Sequence, residues 1–340
     1  MKNVLVTGGM GFIGANFIKH LLKFYPDFKV INVDKLTYAG NPENLKNIET
    51  EYSDSYKFYK VDICDFESID TVYKKNEIDC VVNFAAESHV DRSITNPSLF
   101  CETNINGTIS LLNSAKKNGI KKFLQVSTDE VYGALTLDAP PFNERTLLSP
   151  NNPYSASKAS ADLLVRAYGK NFNLPINITR CSNNYGPYQF PEKLIPLMIN
   201  NALKDQDLPI YGKGINVRDW IYVEDHCRAI VKVLLNGSLG EIYNIGADSE
   251  VANLNLVKKL LRILNKPDSL ITFVKDRLGH DLRYAIDHRK ITKELNWNPE
   301  INLDDGLKMT VDWYIDNRDW MNNIITKEYL TYYENQYKTR

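Results

Sequence analysis

The first two dozen residues constrain the fold more than any other stretch. Residues 4–7 form a short apolar run rich in β-branched residues. Gly8, Gly11 and Gly14 then recur at a spacing of three, and Phe17, Ile18, Leu21 and Leu22 follow on one helical face. A strand, a glycine turn and a helix in that order let an anion approach the helix N-terminus, where unpaired N–H groups gather. Taken alone, the pattern also fits an ordinary flexible turn.

Residues 30–33, 57–61, 80–84 and 122–126 read as further strands, separated by helical stretches such as residues 105–118, which end at Gly119. This alternation predicts a doubly wound, parallel, Rossmann-type α/β sheet, with ligands beyond the carboxyl ends of its strands. Periodicity weakens after Cys181. Residues 183–219, rich in Asn, Pro, Tyr and Gly, read as a substrate-facing excursion. Residues 223–235 read as a helix and 241–245 as a returning strand. Beyond about residue 248, one short helix (255–264) sits among loops and a polar, tyrosine-rich tail. The expected division is a first domain of residues 1–185 plus about 216–247, and a smaller C-terminal substrate domain of about 186–215 plus 248–340.

Asp34 ends the second strand, 20 residues after Gly14. A carboxylate there hydrogen-bonds an adenosine ribose 2′-hydroxyl and repels a 2′-phosphate, so NAD is expected over NADP, with the neighbouring Lys35 as the one feature a 2′-phosphate would use. Asp62 and Ile63 follow the third strand, where residues flank an adenine, although a surface turn explains Asp62 equally well.

Pro153 suits the first turn of a helix, and Tyr154 and Lys158, four apart, share a helical face. A cation beside the phenol favours phenolate, so the tyrosine is expected to have a lowered pKa and to take a hydroxyl proton as hydride leaves the same carbon. Directly after the strand 122–126 come Ser127, Thr128, Asp129 and Glu130. Two carboxylates beside a hydride-transfer pair extend the chemistry beyond oxidation, unless they form a solvated turn capped by Thr128. Adjacent strand residues point to opposite faces, so both acids reach one site only if the chain has left the strand by residue 129.

The chain has 340 residues and a net charge of −1, which provides no global field for nucleic acid or an anionic membrane. Its N-terminus lacks the apolar core of a signal peptide, and no apolar run approaches the ~18 residues of a membrane helix. Five scattered cysteines without a C-x-x-C pair argue against a disulfide framework, and five histidines without close spacing argue against a metal site. A cytoplasmic protein is expected.

Several longer stretches resemble the extended short-chain dehydrogenase/reductases that act on nucleotide sugars. They are residues 7–14 (TGGMGFIG), 34–41 (DKLTYAGN), 85–94 (AAESHVDRSI), 127–133 (STDEVYG), 180–193 (RCSNNYGPYQFPEK) and 218–220 (RDW). The resemblance covers nearly the whole chain and is strongest to the branch that removes water from a thymidine-diphosphate hexose. Met10 departs from a typical alanine, and Lys213 stands where aspartate is common.

The resemblance implies a reaction in which oxidation at C4 acidifies the C5 hydrogen, water is lost across C5–C6, and hydride returns to C6. Thr128 would hydrogen-bond the C4 oxygen, Asp129 protonate the leaving C6 oxygen and Glu130 take the C5 proton, with Tyr154 and Lys158 running the oxidation. This requires Asp129 protonated and Glu130 ionised, a split that like-charge coupling favours. The implied cofactor contacts are Gly8, Gly11, Phe12, Ile13, Gly14, Asp34, Lys35, Leu36, Thr37, Gly40, Asp62, Ile63, Ala85, Ala86, Ser88, Thr103, Ser127, Tyr154, Lys158 and Asn184. Substrate contacts are Ser88, Thr128, Asn183, Lys193, Leu194, Pro209, Tyr211, Arg218, Asn253, His280, Arg283 and Tyr284, with Arg218 first for the diphosphate and Tyr211 facing the base. A homodimer is implied too. A UDP-sugar 4-epimerase, a dehydratase for another nucleotide hexose and a silent NAD-binding scaffold remain alternatives; an epimerase has no use for an acid and a base at 129 and 130.

Overall fold

In this computed structural model, residues 1–276, 279–325, 329, 331, 333 and 334 are described. Strands β1 (Asn3–Thr7), β2 (Lys29–Asp34), β3 (Tyr56–Lys60), β4 (Cys80–Asn83), β5 (Lys122–Thr128) and β6 (Ile176–Cys181) are followed by β7 (Asn183–Tyr185), β8 (Leu208–Tyr211), β9 (Val217–Tyr222), β10 (Ile242–Ile245), β11 (Glu250–Ala252) and β12 (Ile271–Val274). The main sheet runs β3-β2-β1-β4-β5-β6-β10, parallel at every pairing. The order reverses between β1 and β4. There the following segments diverge and leave a crevice beyond the strand ends.

Side-chain alternation divides the core. Val4, Val6, Leu124 and Val126 face the helices Phe12–Phe24 and Val223–Asn236 through Phe17, Ile18, Ile230 and Val233. Leu5, Val81 and Phe123 face the helices Phe66–Asn76 and Thr108–Asn118 through Ile69, Val72, Leu111 and Leu112. Covering both faces explains why the strands read as near-continuous apolar runs.

Three expectations need correction. The helix expected from residue 105 begins earlier: Pro97–Phe100 leads into a π-helical stretch, Cys101–Gly107, and then Thr108–Asn118. Residues 183–219 hold β7, β8, β9 and the helix Leu194–Leu203, whose Pro196 lies in the first turn, where its missing N–H costs nothing. The tail is more helical than read, with Arg289–Leu295, Leu303–Asp316 and Arg318–Ile324. Asn302 caps the second of these by accepting from the Asp305 N–H at 3.0 Å, and Asp304 and Asp305 occupy its first turn.

Those C-terminal helices build a second core, in which Leu307, Val311 and Tyr314 meet Leu256, Leu260, Ile195 and Met198. Packing crosses the expected division in both directions: Ile291 and Trp297 join the main-sheet core, whereas Trp220 and Tyr222 of β9 join the second.

Behind the sheet end, Arg180 of β6 donates through Nε to Asp162 Oδ2 at 2.9 Å, with both side chains almost wholly buried. A pair taken out of water is stabilising only while both partners are present. Asp162→Ala should therefore lower folding stability by about 3–5 kcal/mol, seen as a lower denaturant midpoint. A midpoint equal to wild type would show that the pair is not held as described.

Candidate active site

The glycine turn is rigid for steric reasons. The Gly8 N–H bonds Val33 O at 2.8 Å, the Gly11 N–H bonds Gly8 O at 3.1 Å, and Gly8 has φ +69°. A Cβ on Gly14 would lie 2.3 Å from Gly8 O, so only glycine lets the helix start this close to the turn. Asp34, at the end of β2, is fixed by accepting from the Met10 N–H at 2.9 Å and the Leu36 N–H at 2.8 Å. Burial raises its pKa, against those two bonds. Lys35 is 2.5 Å from Asp62 Oδ2, so its charge is already matched.

A single cleft runs from this turn to the far end of β5. It is lined by Gly8, Gly11, Phe12, Ile13, Gly14, Asp34, Lys35, Thr37, Gly40, Asp62, Ile63, Ala85, Ala86, Ser88, Thr103, Ser127, Thr128, Asp129, Glu130, Tyr154, Lys158, Asn183, Asn184 and Lys193. Thr103 reaches it from the π-helical stretch, whose next residue, Asn104, holds the segment after β4 by accepting from the Glu87 N–H (2.9 Å) and donating to Glu87 O (3.0 Å). A π turn inside a helix commonly marks such a site.

β5 ends at Thr128, and Asp129–Tyr132 forms a 3₁₀ turn. Thr128 Oγ1 accepts from the Glu130 N–H at 3.2 Å and donates to Asp129 Oδ1 at 3.3 Å. The strand alternation is broken where both acids require it, so Asp129 and Glu130 line the same cleft. Burial pushes the Asp129 carboxyl well above the carboxylate range, with the Glu130 charge a second cause. The rise at Asp129 is therefore driven chiefly by desolvation, with like-charge coupling second.

Opposite this turn, the helix Pro153–Phe172 starts with a capping box: the Ser155 N–H donates to Asn152 Oδ1 (2.9 Å) and the Asn152 N–H to Ser155 Oγ (3.3 Å). It places Tyr154 in the lining of the same cleft, and Lys158 Nζ donates to Val126 O at 2.8 Å. The expected lowering of the Tyr154 pKa is not found. Burial and then the Glu130 charge push it well up, while burial lowers Lys158 against the opposing charge of Asp162.

Leu36, Leu194, Pro209, Tyr211, Arg218, Asn253, His280, Arg283 and Tyr284 lie outside the cleft lining. Leu36 and Leu194 pack on the two cores, and Pro209 lies in β8. Arg218 donates to Val217 O (2.8 Å) and Asp281 O (2.9 Å) and lies 4.3 Å from the Tyr284 ring centroid. Arg218 in β9 and Tyr284, whose N–H bonds Val217 O at 3.1 Å, both act on the acidic turn: Arg218 lowers the Asp129 pKa, and Glu130 raises that of Tyr284. The Asn253 N–H bonds Asn216 O at 3.0 Å. Tyr211 and His280 meet edge to face at 6.1 Å, with His280 Nδ1 2.6 Å from Asp276. Arg283 is engaged by Glu250 through Nε (2.5 Å) and Nη2 (2.8 Å) and by two carbonyls, so its guanidinium is occupied within the fold.

Sequence reasoning missed Val33, Val61, Phe84, Val126, Cys181 and Ser182, which the rule of strand carboxyl ends would have found, and Ala39, Glu87, Gln189, Phe190 and Glu192, which stood without roles inside the quoted motifs.

Compared with known proteins, the chain matches the family described as GDP-mannose 4,6 dehydratase over residues 5–310. The dTDP-glucose 4,6-dehydratase of Salmonella typhimurium is 48% identical, with 99% of each chain covered. The crystal structure of the Bacillus anthracis dTDP-glucose 4,6-dehydratase in complex with NAD superposes with a TM-score of 0.89 at 48% identity, covering 95% of this chain and 100% of that one. The Streptomyces venezuelae dTDP-glucose 4,6-dehydratase, solved with NAD bound, gives a TM-score of 0.91 at 47% identity, covering 95% and 99%. The chain belongs to the dTDP-glucose 4,6-dehydratase family of the extended short-chain dehydrogenase/reductases.

Proposed function

We propose that this chain converts dTDP-glucose to dTDP-4-keto-6-deoxyglucose with NAD as its resident cofactor. The observation that carries this reading is the pair of carboxylates presented on one turn beside Tyr154. A 4-epimerase needs the tyrosine and lysine alone, so the acids favour dehydration over epimerisation.

The cleft residues fit NAD. Gly8, Gly11 and Gly14 leave room for a diphosphate at the helix N-terminus, Asp34 offers a fixed carboxylate to a ribose diol, and the Lys35 ammonium is matched by Asp62. Ser127 Oγ, at the other end, is buried with no hydrogen-bond partner within the chain. When bound, NAD accepts a hydride from sugar C4 and later supplies it to C6. In the reading proposed, Tyr154 takes the C4 hydroxyl proton and Thr128 holds the C4 oxygen. The Lys158 ammonium, anchored on Val126 O, stabilises the phenolate form of Tyr154 that accepts this proton and becomes a phenol. The new ketone acidifies C5, Glu130 removes that proton, and Asp129, kept protonated by burial, donates to the C6 oxygen as it leaves as water.

Residues 1–185 with about 216–247 carry the cofactor in this reading, and about 186–215 with 248–340 carry the nucleotide sugar through Lys193, Asn253 and His280, joined by Asn183 and Arg218 from the first unit. Two copies would pair through the helix Pro153–Phe172, where Leu163 and Phe172 are exposed. Five free cysteines suit a reducing cytoplasm. Among the described residues, no helix is long and apolar enough to cross a membrane.

Incubation with dTDP-, UDP-, CDP- and GDP-glucose, followed by mass analysis, should show loss of one water from the dTDP sugar in preference to the others. An intact or merely epimerised dTDP sugar would overturn the proposal. Glu130→Gln should lower product formation by about 10²–10⁴-fold while the bound cofactor is still reduced by substrate, seen as near-ultraviolet absorbance. Product release at the wild-type rate would remove Glu130 from its role.

Asp129 also makes stability depend on pH. Its folded pKa is raised, so the native state holds a proton that the unfolded chain has lost. The stability it contributes is complete below about 3.9, the ordinary carboxylate value, and declines as pH rises towards the folded pKa. Asp129→Asn should therefore gain more stability over wild type at neutral pH than at pH ~4, while losing elimination. An equal difference at both pH values would argue against a buried, protonated Asp129.

A further inference from the structure

Three loops that line the cleft are joined to one another by side chains that the chemistry does not use. Glu192 comes from residues 186–193, after β7, and its side chain is only 1% exposed. It accepts from the Tyr38 hydroxyl at 2.9 Å, from the loop after β2, and from Arg92 Nε at 3.3 Å, from the helix Val90–Thr95 that follows the loop after β4. His89 Nε2 lies 3.9 Å away. The Arg92 guanidinium stacks 3.9 Å from the Tyr38 ring centroid, and Phe190 meets the same ring edge-on at 5.5 Å.

The neighbours of each partner face the cleft: Thr37 and Ala39 flank Tyr38, Glu87 and Ser88 precede Arg92, and Phe190 and Lys193 flank Glu192. The Glu192 loop is itself held from behind. Asn16 donates to Pro187 O at 3.0 Å, Tyr314 to Gln189 O at 2.6 Å and Tyr329 to Pro191 O at 2.9 Å. A buried carboxylate held by an arginine is a costly way to join loops, and tolerable only where all partners stay together.

We propose that Tyr38, Arg92 and Glu192 form a clasp across the cleft that retains NAD throughout the catalytic cycle. The inference rests on the NAD-dependent reading above and extends it. In that reaction the hydride taken from C4, with its two electrons, is the one delivered to C6. Cofactor escaping in its reduced form would strand a dehydrated sugar with no reductant. Contacts to the cofactor alone cannot distinguish the oxidised from the reduced interval, whereas a cross-link between the walls acts in both. These three are positioning residues, since they act through the loops and not on the reacting atoms.

The test uses the purified full chain and measures NAD per chain after gel filtration, its release rate on dilution into an NAD-degrading enzyme, and free NADH appearing during turnover of dTDP-glucose. Tyr38→Phe removes one hydrogen bond and should speed release by about 2–10-fold. Arg92→Met should do so by more than ~10-fold, with NADH found in solution, and Arg92→Lys should recover part of the effect because it keeps the charge but not the planar stack. Where Arg92→Met does not fold, Tyr38→Phe decides. Wild-type release rates in folded variants would overturn the clasp, as would variants that hold NAD normally yet turn over slowly, and both results leave the dehydratase reading standing. A wild-type chain that never takes up NAD would overturn both.

Discussion

Everything the cleft can do depends on β5 ceasing to be a strand at Thr128. Had the ladder with β6 continued, Asp129 and Glu130 would point to opposite faces of the sheet. Thr128 prevents this with one oxygen, which takes the Glu130 N–H and thereby closes a 3₁₀ turn immediately beyond the last paired residue. The turn is held from its far end as well. Tyr132, its last residue, donates to Asn244 Oδ1 at 2.8 Å and lies 4.8 Å over the Arg180 guanidinium, so β6 and β10 fix what β5 presents.

The parallel sheet, the glycine turn and the Tyr154–Lys158 helix were legible because each rests on a local rule. β-branched runs make buried strands, glycine alone survives at Gly8 and Gly14, and Pro153 opens a helix. The pairing of the two acids was legible only as a condition, since no sequence pattern states that a strand stops one residue earlier. The C-terminal helices were missed because their apolar residues were weighed without their caps, although Asn302 and the acids after it were in plain view. Arg283 is not decided by the sequence for a physical reason: an arginine in a substrate-domain segment reads the same whether it meets a diphosphate or Glu250, which engages it in the folded chain.

The tyrosine shows where local chemistry and tertiary environment diverge. A lysine four residues away argues for a lowered phenol pKa, yet in the folded chain both groups are buried, and desolvation is the largest influence on each. Burial moves the two pKa values towards each other, the phenol up and the ammonium down, so each moves towards its neutral form. Tyr154 acts as a base only as phenolate, so in the reading proposed the charge of Lys158 has to offset that desolvation before the sugar's proton can be taken.

The same desolvation resolves the placing of an acid next to a base. Two ionised carboxylates on successive buried residues would repel, and the turn would open. Burial of Asp129, reinforced by the charges of Glu130 and Asp219, moves its carboxyl towards the neutral form and so lessens the repulsion. Arg218, on the other side, opposes this shift and limits how far the proton is held. An acid that gives its proton to a leaving oxygen, the role proposed for Asp129, cannot hold it too tightly, and the charge of Arg218, whose guanidinium donates to the carbonyls of Val217 and Asp281, works against the shift that burial imposes.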